Sequence, residues 1–71
     1  MTEQQNEVTE ESLIEDLRVA QRAAEEAESN LVAAIANMRR RGWSWQRVGE
    51  VLGTSRQAAW ERFHRRVEES A

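Results

Sequence analysis

Four neighbouring residues in the C-terminal half of this 71-residue chain have the hydrogen-bonding groups needed to contact nucleic-acid bases. Arg56 can donate two parallel hydrogen bonds to O6 and N7 of guanine, and Gln57 can bridge N6 and N7 of adenine. Glu61 lies about one turn further on if the segment is helical, and its carboxylate can accept from N4 of cytosine. Together with Ser55, which directly precedes them, these residues are the predicted base contacts.

A second group of residues is suited to the phosphate backbone. Ser44, Gln46 and Arg47 come at the predicted start of a helix, where backbone N–H groups and polar side chains commonly bind phosphate. Arg65 adds a positive charge further along the chain. We predict phosphate contacts at these four positions. For each arginine, a solvated surface charge is the alternative interpretation.

Other kinds of chemistry find little support in the sequence. There is no cysteine and only one histidine, so we expect neither a disulfide framework nor a metal site. The chain has no glycine-rich phosphate loop, nucleophile elbow or metal-binding motif. We therefore predict no catalytic residue, no metal and no cofactor, and no enzymatic activity. Trp43, Trp45 and Trp60 are assigned to the core of a small domain rather than to stacking on bases.

Charge is divided unevenly along the chain, whose formal net charge is −3. Residues 1–30 contain nine acidic residues and two arginines, whereas residues 39–66 contain eight arginines and two glutamates. A basic stretch within one structural unit is typical of a phosphate-binding surface. The uneven distribution, rather than the net charge, therefore indicates a polyanionic partner for the C-terminal half.

Helix start and stop signals predict an all-α fold, with a long N-terminal helix followed by a helix-turn-helix, three helices in all. The long helix is expected to begin near Thr9 or Ser12, because Ser12 and Glu15 have the spacing of a capping box, and to end before Gly42. The predicted parts of the chain are a disordered terminus at 1–8, a long helix at 9–41 (a dimerisation arm at 13–30 and a head segment at 31–41) and a helix-turn-helix head at 42–71.

Two shorter helices are predicted within the C-terminal part. Ser44 is expected to cap a helix over about 45–52, and Ser55 is expected to cap a helix over about 56–68. Gly53 lies between them and supplies a left-handed residue for the turn. The result is a compact helix-turn-helix unit.

The turn glycine fits the ninth position of the twenty-residue helix-turn-helix pattern. Gly49 then falls where the second helix crosses and only a small residue fits. The residues that agree with other positions of the pattern are Val48, Gly49, Leu52, Ser55 and Ala59. Thr54 and Arg62 depart from it, because both occupy positions that are usually aliphatic. We expect a slightly rotated buried face on the last helix, made of Ala59, Trp60, Phe63 and Val67.

Residues 43–63 resemble the helix-turn-helix of small actinobacterial and actinophage DNA-binding proteins, and more distantly region 4 of sigma factors. The resemblance is carried by Trp43-Ser44-Trp45, Val48-Gly49, Leu52-Gly53 and residues 55–63, which are less than a third of the chain. It implies DNA binding by the helix that starts at Ser55. It says little about the target sequence.

A heptad pattern runs along the long helix. Apolar residues recur at alternating spacings of four and three: Leu13, Leu17, Ala20, Ala24, Ala27, Leu31, Ala34 and Met38. From Leu31 the stripe widens to include Val32 and Ile35, as expected where a helix packs on two others. We predict a homodimer through its narrow part, at Leu13, Leu17, Ala20, Ala24 and Ala27. The three successive alanines suit a close antiparallel pair, and a solvated helix projecting alone is the alternative.

These observations favour a sequence-specific DNA-binding protein, a dimeric transcriptional regulator whose partners are double-stranded DNA and itself. One alternative is a protein-interaction module, such as an adaptor or antitoxin, that binds a partner protein through the acidic N-terminal helix. A structural coiled-coil piece is the third class. No apolar run approaches the ~18 residues of a membrane span and no signal peptide follows Met1. We therefore expect a cytoplasmic, nucleoid-associated protein without a membrane partner.

Overall fold

Residues 8–70 are described by a computed structural model, and this part of the chain forms three α-helices and no strand. Helix α1 spans Glu10–Arg40, α2 spans Trp45–Leu52 and α3 spans Arg56–Glu69. The predicted all-α architecture of one long helix followed by a helix, a turn and a helix is confirmed. The terminus predicted to be disordered, 1–8, lies outside the described residues except for Val8.

Helix α1 begins with a capping box, but not the predicted one. Thr9 is the N-cap, and its hydroxyl accepts from the backbone N–H of Ser12 at 3.0 Å. The Ser12 hydroxyl in turn accepts from the backbone N–H of Thr9 at 3.1 Å. The prediction that Ser12 caps the helix with Glu15 is therefore wrong. Ser12 takes the place three residues after the cap that a glutamate more often fills.

Both chain reversals depend on a glycine in the left-handed region. Gly42 follows α1 with φ +91°, and Gly53 follows α2 with φ +78°. In each reversal the next residue donates its backbone N–H back to the helix, from Trp43 to the carbonyl of Met38 and from Thr54 to the carbonyl of Gly49. These bonds satisfy carbonyl groups that a helix end leaves free.

All three helices contribute to one small core. Its buried members are all apolar: Val32, Ile35, Ala36, Val48, Ala59, Phe63 and Val67. Leu31, Met38 and Trp45 pack against this cluster and are half-buried. The C-terminal third of α1 therefore packs with α2 and α3, and we call residues 31–70 the head and residues 13–30 the arm.

The crossing of α2 and α3 requires glycine at position 49. A Cβ atom built on Gly49 would lie 2.9 Å from the backbone oxygens of both Thr54 and Ser55. Backbone oxygens cannot move aside as a flexible side chain can, so a side chain at position 49 would push Thr54 and Ser55 away from α2. The predicted need for a small residue at this crossing is confirmed.

Two residues assigned to the core are more exposed than predicted. Trp60 is 39% exposed, because Ala59, Phe63 and Val67 form the buried face of α3 and Trp60 lies about 100° around the helix from Ala59. Leu52 is 36% exposed. Residues 54 and 55 cross α2 at Gly49, so the last turn of α2, which contains Leu52, extends past this crossing. Trp43 and Trp45 are half-buried rather than fully buried.

The arm extends away from the head, and the described chain measures 59 Å in its longest dimension. Every residue of the predicted seam is exposed in the arm, and Leu13 and Leu17 remain 56% and 69% exposed. Ile14 and Val19 are also exposed. No other part of the described chain covers the large apolar side chains of the arm.

Candidate nucleic-acid interface

Helix α3 has a polar face directly opposite its buried face. Gln57, Glu61 and Arg65 are all exposed and recur every four residues. Each lies two positions before a buried residue, which places it about 200° around the helix from the core. The structure therefore brings two predicted base contacts and one predicted phosphate contact onto one exposed face.

The first turn of α3 presents a charged side chain beside free backbone donors. Ser55 is the N-cap, and its hydroxyl accepts from the backbone N–H of Ala58 at 3.0 Å. Arg56 is the first helical residue and is exposed, and its side chain forms no hydrogen bond or ion pair within residues 8–70. The positive end of the helix dipole reinforces the charge of this arginine. Ser55 thus has a structural role as well as its predicted contact with a base.

Two of the predicted base contacts are bonded to each other. The amide Nε2 of Gln57 donates to Oε2 of Glu61 at 2.9 Å, a contact across one helical turn. The amide oxygen of Gln57 and the second N–H of that amide are not used in this bond. The pair therefore forms a preordered patch with a donor and several acceptors.

Two arginines near the start of α2 lie over tryptophan rings. Ser44 is the N-cap of α2 and accepts from the backbone N–H of Arg47 at 3.1 Å. The guanidinium of Arg47 lies 4.3 Å above the ring centre of Trp43, and that of Arg39 lies 5.2 Å from the ring centre of Trp45. Such contacts restrict the guanidinium groups while leaving their outer edges in solvent.

Arg39 was not among the predicted contacts, although it stands close to the α2 start. Its Nη1 donates to the backbone oxygen of Trp43 at 2.6 Å, which ties the end of α1 to the loop before α2. The predicted phosphate residue Gln46 is exposed next to this group. Arginines and tryptophans do occur close together over residues 39–47, but the contact depends on how the chain folds back at Gly42.

Trp60 and His64 form a stacked pair on the side of α3. Their ring centres are 3.9 Å apart and the planes differ by 5°. His64 Nδ1 donates to the backbone oxygen of Trp60 at 2.6 Å, so its Nε2 remains available. Neither residue was a predicted base contact. The spacing of four on one helix was the available signal, and assigning Trp60 to the core concealed it.

The arginines of the head differ in their surroundings. Arg62 Nη2 forms an ion pair with Glu28 Oε1 at 2.9 Å, and Arg66 Nη1 lies 3.7 Å from Glu28 Oε2. Arg62 also lies over the ring of Phe63. These two arginines contact Glu28 of the arm, whereas Arg65 is exposed on the same face of α3 as Gln57 and Glu61. Arg62, which occupies a usually aliphatic position of the helix-turn-helix pattern, therefore forms an ion pair at the surface.

Two other kinds of site can be checked on residues 8–70. There, no three histidine, cysteine, aspartate or glutamate side chains are grouped so that they could hold a metal ion. None of the helices in the same part of the chain has the length and apolar character needed to cross a membrane.

Comparisons of the chain with protein-family models, with curated proteins and with solved structures found no match. The candidate interface is therefore described by its own residues alone: a polar face on α3, the start of α2 and the arginines around them.

Proposed function

We propose that this chain is a DNA-binding protein that places the start of α3 in the major groove. The observation that supports this most strongly is the separation of the two faces of α3. One face is buried in the core through Ala59, Phe63 and Val67. The other presents Gln57, Glu61 and Arg65 to solvent. An α-helix fits the width of the B-DNA major groove, and base edges there carry a distinct pattern of donors and acceptors.

Each side chain at the start of α3 has a role in this proposal. Arg56 donates to guanine from the first turn, where it has no partner within the described chain. Gln57 bridges adenine after exchanging its bond with Glu61 for bonds to the base. Glu61, once released, accepts from cytosine N4. Trp60 offers an apolar edge of the kind that contacts a thymine methyl group, and the Nε2 of His64 lies beside it.

The phosphate contacts come from the start of α2 and the far end of the α3 face. Ser44, Gln46 and Arg47 lie where free N–H groups and the helix dipole favour an anion. Arg47 is held in place by Trp43, so its side chain gives up less rotamer freedom on binding. Arg65 reaches the backbone beyond the bases contacted by Glu61. These contacts orient the head, and the bases give specificity.

The protein acts in this proposal as a dimeric transcriptional regulator associated with the nucleoid in the cytoplasm. The exposed apolar residues of the arm support the dimer, because two large leucines on one stripe are not covered by any other part of residues 8–70. A dimer would contact two half-sites, and an operator of matching two-fold symmetry would double the number of contacts.

A second candidate function is a protein-interaction module. It is favoured by the arm alone, in which Leu13, Ile14 and Leu17 are exposed on a helix rich in acidic residues. An adaptor or antitoxin could bind a partner protein with this surface. The two functions differ in what the head does, because only the first needs a polyanion.

A titration with random double-stranded DNA at several salt concentrations tests the proposal. If about four to six phosphates are contacted per dimer, log K should fall with log salt at a slope of roughly −4 to −5. Arg47→Ala should make the slope shallower by about one for each phosphate that Arg47 neutralises. Arg18→Ala removes an exposed arginine from the arm and is the matched control, which should leave the slope unchanged. A flat slope would favour the protein-interaction module.

A further inference from the structure

We infer that the arm binds the arm of a second copy in an antiparallel arrangement, with the two-fold axis close to residue 22. The proposed function includes a dimer, although base contact by α3 does not depend on one, and it does not determine the orientation. Only the consequence for DNA given below rests on DNA binding. The orientation follows from where the seam is free, from the sizes of its residues and from the distribution of charge.

The free part of the seam has defined ends. Helix α1 begins at Glu10, and Ala34 is the last exposed residue of the seam. Leu31 and Met38 are half-buried against the head, whereas Ala34 between them is exposed. A partner helix can therefore lie along residues 10–34, whose midpoint is residue 22. An antiparallel partner centred there would begin opposite Ala34, where the free seam ends.

The sizes of the seam residues fit the same centre. Leu13 and Leu31 are equidistant from residue 22, and so are Leu17 and Ala27, and Ala20 and Ala24. Antiparallel pairing thus gives layers that change gradually from two leucines, to a leucine and an alanine, to two alanines. Parallel pairing would stack two leucine layers on three alanine layers and return to leucine at position 31. The gradual series keeps two straight helices closely packed, whereas the abrupt one leaves voids or forces a bend.

The positions that flank the seam carry little charge although the arm is acidic. The two rows beside the seam are Ile14, Gln21 and Glu28 on one side, and Asp16, Ala23 and Asn30 on the other. The remaining acidic residues of the arm, such as Glu15, Glu25 and Glu26, lie on its outer face. A second copy can therefore approach this stripe without placing acids in contact.

Charge at the ends of the seam favours the antiparallel orientation. The first turn of α1 contains Glu10 and Glu11, and its last turn contains Arg39 and Arg40. In an antiparallel pair, the acidic first turn of one copy lies near the basic end of α1 in the other. In a parallel pair, the acidic ends would lie together and the basic heads would lie together, which is unfavourable.

This arrangement places the heads at opposite ends of the paired arms. The segments of α1 that pack in the two heads, centred near residue 34, would be roughly 36 Å apart along the axis. One helical turn of B-DNA is about 34 Å. Half-sites about one turn apart therefore match the dimer if both heads face the same side of the duplex.

Distances between single spin labels test the orientation without DNA. The chain lacks cysteine, so Glu11→Cys and Arg22→Cys each create one labelling position on the exposed surface of the full chain. In the antiparallel dimer, the two residues at position 11 are about 33 Å apart along the axis and those at position 22 are level with each other. We expect the distance at position 11 to exceed that at position 22 by more than about 10 Å, given this axial offset.

The other results would overturn the inference. Similar short distances at positions 11 and 22 would show a parallel dimer. The absence of any intermolecular distance at micromolar concentration would show that no second copy binds the arm. DNA binding does not enter these measurements, so either result leaves the proposed function of α3 to its own test. A loss of DNA binding with the expected pair of distances would instead reject the proposed function alone.

Discussion

Large apolar side chains are buried in the head and exposed in the arm, although both parts include a segment of the same helix. In the head, Phe63 is 1% exposed and Ile35 is 2% exposed. In the arm, Leu17 of the same α1 helix is 69% exposed. The difference lies in the available partners, because α2 and α3 pack only on the C-terminal third of α1.

This contrast shows that two apolar patterns share α1. Where the helix packs on the head, the buried residues are Val32, Ile35 and Ala36. The heptad seam instead passes through Ala34, which is exposed between them. Within residues 8–70 nothing covers the large apolar residues of this seam in the arm, and exposed apolar patches of this kind are typical of interaction surfaces. The head is therefore the part that packs on itself, and our proposal is that a second copy covers the arm.

The largest expected effect is on the core of the head. Phe63→Ala should lower the free energy of unfolding by about 3–5 kcal/mol, because it removes the largest fully buried side chain. Trp60→Ala, one turn away on the exposed flank of α3, is the control and should cost much less. Urea denaturation at a fixed protein concentration measures both. Equal losses would mean that Trp60 belongs to the core after all.

The next effect concerns the arm. Leu17→Glu should weaken dimerisation more than a hundredfold, since it removes two exposed seam leucines per dimer at roughly 2 kcal/mol each and introduces charge. Val19→Glu is the matched control, because Val19 is exposed on the same helix but lies outside the seam. Sedimentation equilibrium at micromolar concentration should give about twice the chain mass for the wild type and for Val19→Glu. A monomeric wild type would contradict the proposal that a second copy covers the arm.

A smaller effect is expected at the crossing of α2 and α3. Gly49→Ala should destabilise the head by about 1–3 kcal/mol, because the added methyl group meets two backbone oxygens at 2.9 Å. Glu50→Ala changes the exposed neighbour and should have little effect. Thermal unfolding monitored by helical circular dichroism measures both variants. If Gly49→Ala were as stable as Glu50→Ala, the close approach at this crossing would be wrong.

The helix boundaries of the head could be predicted because the signals are local. Ser44, Gly53 and Ser55 each form a cap with residues at most four positions away, so a short stretch of sequence contains both partners. The requirement for Gly49 was also predictable, because it follows from the fixed spacing of the motif. The start of α1 near Thr9 was predicted, but the capping box was paired incorrectly, because Thr9 and Ser12 cap the helix together and a serine fills the position where a glutamate was expected.

The candidate site was less predictable because it depends on the rotation of α3 about its own axis. That rotation is set by packing on α1 and α2, and it decides whether Trp60 lies in the core or stacks on His64. The ion pair between Glu28 and Arg62 joins residues that are 34 positions apart, so no local pattern indicates it. The predicted contacts at Arg56, Gln57 and Glu61 remain predictions about DNA, now placed on exposed positions of one helix.

The central claim is that the start of α3 contacts bases, and one comparison tests it most directly. Binding of wild type, Arg56→Ala and the arm variant Arg18→Ala should be measured on a duplex selected from a random pool and on random duplex. Arg56→Ala should cost about 1–3 kcal/mol on the selected duplex and much less on random DNA, whereas Arg18→Ala should change neither. Equal losses on both duplexes would make Arg56 a phosphate contact. Unchanged binding of Arg56→Ala to both would contradict the claim that α3 enters the groove.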